Sequence, residues 1–314
     1  MKTVYYVIPC YNEQEALPDT VRQLLEKLRQ QILAGLAAPS SRLLFVDDGS
    51  KDGTWALIRE TCLAEPLCCG LKLAHNRGHQ NALLAGLMTA LDKGADCTIS
   101  IDADLQDDPD ATDAFLQKYA EGYDIVYGVR NSRRTDSFFK RFTARCFYRF
   151  MRLLGAEVVY DHADFRLMSR RALQALEQYR EVNLFLRGII PTIGLRSTSV
   201  LYDRRARTAG RTKYPLRRML SFAADGVTSF SVRPLKLISN LGLLISVLSV
   251  FGLLYALISF WAGAAVPGWT AIVCSIWLLG GIQLLCLGVV GQYIGKIFSE
   301  VKARPRYLIE EYIE

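Results

Sequence analysis

The sequence predicts an α/β domain built on a mostly parallel sheet, followed by a membrane-associated end. Three observations predict it. Short apolar runs alternate with helical periodicity through the first 130 residues. Polar clusters follow the apolar runs, at the strand ends where open parallel sheets bind ligands. From Leu237 to Gly295 there is no Asp, Glu, Lys or Arg, enough chain for two spans of about 20 residues each.

The elements follow in order. Val4–Ile8 is an apolar run ended by Pro9, the first strand. Leu17, Val21, Leu24, Leu25, Leu28 and Ile32 recur at helical spacing. Leu43–Val46 is the second strand, closed by Asp47-Asp48-Gly49-Ser50, and Asp52-Gly53-Thr54 leads into a helix over Trp55–Cys62. Leu71–Leu73 is a third strand, followed by the loop Asn76–His79 and a helix over Ala82–Leu91. Cys97–Ile101 and Ile125–Val129 are the fourth and fifth strands, with a helix near Asp113–Tyr119 between them. Such alternation implies a parallel sheet covered on both faces. Four loops, at Tyr11–Glu13, Asp47-Asp48, Asn76 and Asp102–Gln106, then converge on one edge.

The stretch from Ser132 to Tyr202 is less regular. Phe138–Leu154 mixes bulky apolar residues with Lys140, Arg141, Arg145, Arg149 and Arg152. It reads either as a basic amphipathic helix on a membrane surface or as a domain helix with a solvated basic face. Arg211–Val232 is a second such segment. The predicted organisation is a catalytic domain over 1–210, a juxtamembrane segment over 211–236, transmembrane helices near 237–262 and 269–294, and a basic tail over 296–314. Lys and Arg flank both outer ends of the apolar block and the connection Gly263–Gly268 has none, so both termini are expected in the cytoplasm of a plasma-membrane protein. Gly291 and Gly295 form a G-x-x-x-G that suits close helix packing, within the hairpin or in a homo-oligomer.

Composition narrows the function classes. The chain is 51% hydrophobic with a net charge of +7, and its mean hydropathy is +0.14. Beside an apolar block, the basic runs fit anionic lipid and phosphate groups better than nucleic acid. The eight cysteines and three histidines show no zinc-like spacing, and the cysteines read as reduced thiols. His75, His79 and His162 read as hydrogen-bonding loop residues. No cleavable leader is expected at the N-terminus, and no G-x-G-x-x-G follows the first strand, which disfavours a dinucleotide-binding dehydrogenase.

The chemistry concentrates at Ile99–Gln106. On extended chain Asp102 and Asp104 would point the same way, with Gln106 continuing the register. Hard oxygen donors of this kind suit Mg²⁺ or Mn²⁺, shared with substrate phosphates. A D-x-D alone is equally a solvated turn.

The ordered set Ile8-Pro9-Cys10-Tyr11-Asn12-Glu13, Val46-Asp47-Asp48-Gly49-Ser50 with Asp52-Gly53-Thr54, and Asp102-Ala103-Asp104-Leu105-Gln106 resembles the GT-A glycosyltransferases of family 2. Ala163–Arg170, Ala209–Pro215, Asp225–Ser231 and Val301–Tyr307 are similar to segments of the polyprenyl-phosphate (bactoprenol) glycosyltransferases, relatives of the dolichol-phosphate mannose synthases. The resemblance implies a GT-A, Rossmann-like fold and a nucleotide-sugar donor. Pro9, Tyr11 and Glu13 would line the base and Asp48 would bind the uridine. Asp102, Ala103 and Asp104 would meet the donor, with Asp102, Asp104 and Gln106 on the metal. Arg207 and Lys213 would close over the phosphates. Arg130, Lys140, Arg141 and Arg145 would receive the lipid phosphate. Asp164 would be catalytic, as a base or as an orienting residue. Tyr11 could equally be a core aromatic, Glu13 a helix-start residue and Asp47-Asp48-Gly49-Ser50 an ordinary turn. Ala163 and Arg211-Thr212 depart from the family pattern, and Arg211 adds charge beside the expected phosphate site.

The implied reaction is inverting transfer of one hexose, glucose from UDP-glucose, to undecaprenyl phosphate at the cytoplasmic face, for cell-envelope glycosylation. UDP-GlcNAc, UDP-galactose and a modified arabinose are the alternative donors. A processive polysaccharide synthase would carry Q-x-x-R-W and more spans. A non-catalytic scaffold or flippase partner would have no use for the acidic set.

Overall fold

The computed structural model describes residues 1–130, 162–182, 184–203 and 268–314, with scattered positions between 235 and 258. The described residues fall into two compact units. Residues before 204 and from 304 onward form one; those from 235 to 303 form the other.

The first unit is a single eight-stranded sheet with helices. It contains β1 (Val4–Cys10), α1 (Leu17–Leu33), β2 (Arg42–Asp47), α2 (Thr54–Ala64), β3 (Cys68–Leu73), α3 (His79–Asp92), β4 (Cys97–Ser100), α4 (Ala111–Ala120) and β5 (Ile125–Arg130). β6 (His162–Ser169), α5 (Arg170–Glu177), α6 (Leu186–Thr192) and β7 (Ser197–Tyr202) follow. β8 (Ile309–Ile313) completes the sheet, whose order is β7-β5-β6-β4-β1-β2-β3-β8. All seven residues of β1 are buried, as expected for a central parallel strand covered on both faces. Leu17, Leu24 and Leu28 bury one face of α1. The tie between α1 and α4 is polar: Gln31 bridges Tyr6 to Thr112 and Asp113, and Lys27 joins Asp110 and Asp113.

The sheet is mixed, where a mostly parallel one was expected. β3, β2, β1 and β4 run parallel. β6 runs antiparallel between β4 and β5, and β8 antiparallel to β3. β6 is hard to read because Asp164 and Arg166 interrupt its apolar residues. They lie two apart on one strand face and pair with each other, so the strand buries charge without exposing it.

The expected tail is also different. Residues 304–314 return to the sheet, and Ile309–Ile313 form its edge strand. Trp55 donates to Glu311, Lys72 pairs with Glu310, and Arg306 donates to the Tyr179 carbonyl.

The second unit contains α7 (Trp269–Val301), which contains one candidate membrane span, Leu279–Val301. The helix was expected to stop at 294. It continues because Ile294, Ile297, Phe298 and Val301 keep the helical spacing through Lys296. Leu244, Val247, Phe251, Tyr255 and Ile258 are helical and exposed. Most of the expected first span, and both basic segments at 138–154 and 211–232, lie outside the described residues.

Candidate active site

Two loops at the ends of β1 and β2 are laced together. Asn12 N donates to Ser50 Oγ, Glu13 N to Thr54 Oγ1 and Gln14 N to Asp52 Oδ2, while Lys51 N donates to Asn12 Oδ1 and Gly53 N to Gln14 Oε1. This explains the residue types of both motifs: short oxygen-bearing side chains hold neighbouring backbone. Gly49 is required, with φ of 65° and a Cβ position 2.6 Å from Asn76 N. Asp48 is buried and accepts from Arg77 N at 2.7 Å and Gly78 N at 2.9 Å, fixing the loop after β3. Pro9 is buried within β1, Glu13 starts the turn into α1, and Tyr11 is 42% exposed. A core role for Tyr11 is thereby ruled out.

The third loop follows β4. The chain does not stay extended through Gln106, as the alternating register required. Leu105 N bonds back to the Asp102 carbonyl and Leu105 adopts φ of 44°, so Asp102–Leu105 is a tight turn. Thr20 Oγ1 on α1 donates to the Ala103 carbonyl at 2.6 Å and pins it. Gln106 is buried, and its side-chain amide donates to Asp104 Oδ2 at 2.7 Å, orienting that carboxylate. The Asp102 carboxyl is pushed up to about 6: loss of solvent is the largest cause, and Asp164, Asp107 and Asp104 add to it against the pull of His79. No cluster of three His, Cys, Asp or Glu side chains suited to a metal occurs among the described residues. The donor set still fits a hard cation. Asp102 and Asp104 share one tight turn, and Mg²⁺ typically takes one or two carboxylates plus substrate phosphates.

The fourth group is centred on Asp164, buried at the start of β6. Arg166 pairs with it from the same strand. Arg187 on α6 grips it with Nε at 3.2 Å and Nη2 at 3.0 Å. Gln80 Nε2 lies 3.3 Å and His79 Nε2 3.4 Å from its Oδ2, and His79 Nε2 also lies 3.7 Å from Asp102. Burial alone would raise the Asp164 carboxyl; His79, Arg166 and Arg187 outweigh it and hold the group well below the carboxylate range. An acid this strong is a poor proton acceptor near neutrality, so the setting favours orientation over base catalysis. Asp107, also buried, accepts from Arg130 Nη2 at 3.2 Å and from the Tyr202 hydroxyl.

The profile described as glycosyl transferase family 2 matches residues 5–177, from β1 through α5. The chain belongs to glycosyltransferase family 2. This glycosyltransferase is 54% identical over 304 residues to the uncharacterised glycosyltransferase YkoT of Bacillus subtilis, covering 97% of this chain and 90% of that one. It is 36% identical over 309 residues to the prophage bactoprenol glucosyl transferase homolog of Escherichia coli, covering 97% of each. It is 35% identical over 310 residues to the SfII prophage-derived bactoprenol glucosyl transferase of Shigella flexneri, covering 97% of this chain and 96% of that one.

In this glycosyltransferase the structure brings Asp102 and Asp164 together through His79, with Asp104 in the same turn as Asp102. Arg130, at the end of β5, has its guanidinium occupied by Asp107 and Tyr202. Lys140, Arg141, Arg145, Arg207 and Lys213 lie outside the described residues. Sequence reasoning read His79 only as a hydrogen-bonding loop residue, whereas it opens α3 beside Asp164, and it missed Gln80 and Arg187. His79 and Gln80 had a signal, since Asn76–Gln80 follows β3 as the other site loops follow their strands. Arg187 had none: its partner Asp164 is 23 residues away.

Proposed function

We propose that this glycosyltransferase moves one hexose, glucose from UDP-glucose, to polyprenyl (undecaprenyl) phosphate at the cytoplasmic membrane face, with inversion at C1. The observation that carries this reading is similarity along nearly the whole chain, α7 included, to proteins named bactoprenol glucosyl transferases. The Asp164 environment supports it. A phosphate monoester has a second pKa near ~6 and is mostly ionised at neutral pH. Such a nucleophile needs positioning more than deprotonation, which suits an Asp164 that stays ionised. Its attack on C1 from the face opposite the leaving diphosphate gives the inverted, β-linked product.

In this reading Pro9, Tyr11, Glu13 and Asp48 lie along the nucleoside, and exposed Tyr11 offers its ring to the base. Asp102 and Asp104 would hold a divalent cation, Mg²⁺ or Mn²⁺, together with the donor diphosphate, and Gln106 keeps Asp104 turned toward it. When bound, that cation supplies neutralisation of the charge developing on the leaving group. In the same reading the apolar segment anchors the protein to the membrane where the acceptor resides, and Lys and Arg at its outer ends favour both termini in the cytoplasm.

The test is a screen of radiolabelled nucleotide sugars with membranes containing the protein and undecaprenyl phosphate, followed by mass analysis of the lipid product. A labelled β-linked hexosyl phospholipid from UDP-glucose is the expected result. Label from another nucleotide sugar alone would reassign the donor. No labelled lipid from any of them refutes the reading.

A further inference from the structure

Two guanidiniums share the one carboxylate of Asp164. Arg166 is fully buried and pairs with it, and its own Nη1 is buried without a hydrogen-bond partner. That pair already balances the buried charge. Arg187 reaches the same carboxylate from α6, and its side chain keeps 44% of its exposure.

The Arg187 guanidinium is held firmly. Arg187 binds Asp164 through two nitrogens, and the backbone N of the preceding Leu186 donates to Gln80 Oε1 at 3.1 Å, while Gln80 Nε2 reaches the same Asp164. A guanidinium carries five N–H donors; the two-pronged contact uses two and leaves three. The carboxylate that Arg187 grips is joined through His79 to Asp102 after β4, with His79 Nε2 3.4 Å from Asp164 and 3.7 Å from Asp102. Arg130, at the end of β5, is taken up by Asp107 and Tyr202. A planar, pre-oriented fork with spare donors matches phosphate oxygens.

We infer that Arg187, held in place by Asp164, binds a phosphate group of a substrate. The inference rests on the function proposed above, which brings two phosphate sources to this site: the donor diphosphate and the acceptor monophosphate.

The test uses the full chain in detergent, with wild type, R187A and R187K compared by KM for UDP-glucose, KM for undecaprenyl phosphate, and calorimetric titration with UDP. R187A is expected to raise one KM by about tenfold to a hundredfold, the loss of a charge-assisted contact, and R187K by less. A rise confined to UDP-glucose, with weaker UDP binding, assigns Arg187 to the diphosphate. A rise confined to undecaprenyl phosphate, with UDP binding unchanged, assigns it to the acceptor. If R187A fails to fold, R187K, which keeps the charge but not the fork, decides by the same KM values. Both KM values within twofold of wild type overturn the inference. Wild-type protein that transfers no sugar to lipid overturns the functional reading beneath it.

Discussion

Replacing Gly86 by alanine sets two known effects against each other. Gly86 lies in the middle of α3, where alanine is favoured over glycine by about 1 kcal/mol. Against this, the new Cβ would stand 2.4 Å from Val7 Cγ1 and 2.7 Å from Val46 Cγ2, well inside the roughly 3.5–4.0 Å of favourable carbon contact. Neither valine can give way easily. Both are fully buried on adjacent central strands, and β-branched side chains are stiff at χ1. Approaches this short call for the upper part of the overpacking cost, about 2–3 kcal/mol, so after the gain of about 1 kcal/mol the net expectation is a loss of about 1–2 kcal/mol. For a unit of this size that lowers Tm by about 2–8 °C. Transfer activity should fall with it, because α3 carries His79 and Gln80 in its first turn and a shifted helix misplaces both relative to Asp102 and Asp164. The assay is thermal unfolding of the purified full chain in detergent, beside Gly280→Ala as a control. Gly280 lies in α7 with nothing within 4 Å of its Cβ position, so its substitution should be neutral or stabilising. A G86A Tm at or above wild type would refute the packing argument.

Other expectations follow from the same contacts. Asp104→Ala should abolish sugar transfer while leaving Tm near wild type; retained wild-type turnover would remove Asp104 from the proposed metal set. Lys27 is buried against Asp110 and Asp113, and although burial alone would lower its pKa, the hydrogen bonds to Asp113 and Asp110 raise it above 10.5. Its contribution to stability is complete below the unfolded-state pKa and fades as pH rises through the higher folded-state value. Wild-type Tm should therefore fall more steeply than that of Lys27→Met above about pH 10.5; parallel curves would show that the pair is energetically silent. Truncation after Leu308 removes β8 with its half-buried Tyr312 and Ile313, a loss of roughly 2 kcal/mol. The truncated chain should melt lower and aggregate more in light scattering, and unchanged melting would make β8 dispensable.

The first five strands were legible because each is an apolar run ended by a polar cluster, and the four helices between them carry plain periodicity. The strands from β6 on were hidden for distinct reasons. Asp164 and Arg166 give β6 a polar look that only their mutual pairing removes. β7 is an edge strand with exposed alternate positions, and β8 sits beyond the apolar block, where a solvated tail is the natural reading. Within the site, the D-x-D was found by residue type, yet a turn with a left-handed Leu105 arranges it rather than strand alternation. The lacing of Asn12, Gln14, Ser50 and Asp52 was invisible since each bond spans about 40 residues of chain. The bond between Tyr202 and Asp107 spans 95. Spacing rules see neighbours along the chain; they do not see that a folded sheet makes distant loops adjacent.

The return of the last residues to β3 has a consequence for biogenesis. Domains generally fold N-terminal first during synthesis, but here the apolar edge Cys68–Leu73 has no partner until Ile309–Ile313 has been translated, after the whole hydrophobic segment. Unpaired strand edges are templates for association with other chains. A ribosome stalled before residue 309 would thus expose a sticky sheet border, whereas translation through Ile313 seals it. The strand Ile309–Ile313 acts as a closure that ties the soundness of the sheet to translation through the apolar helix before it.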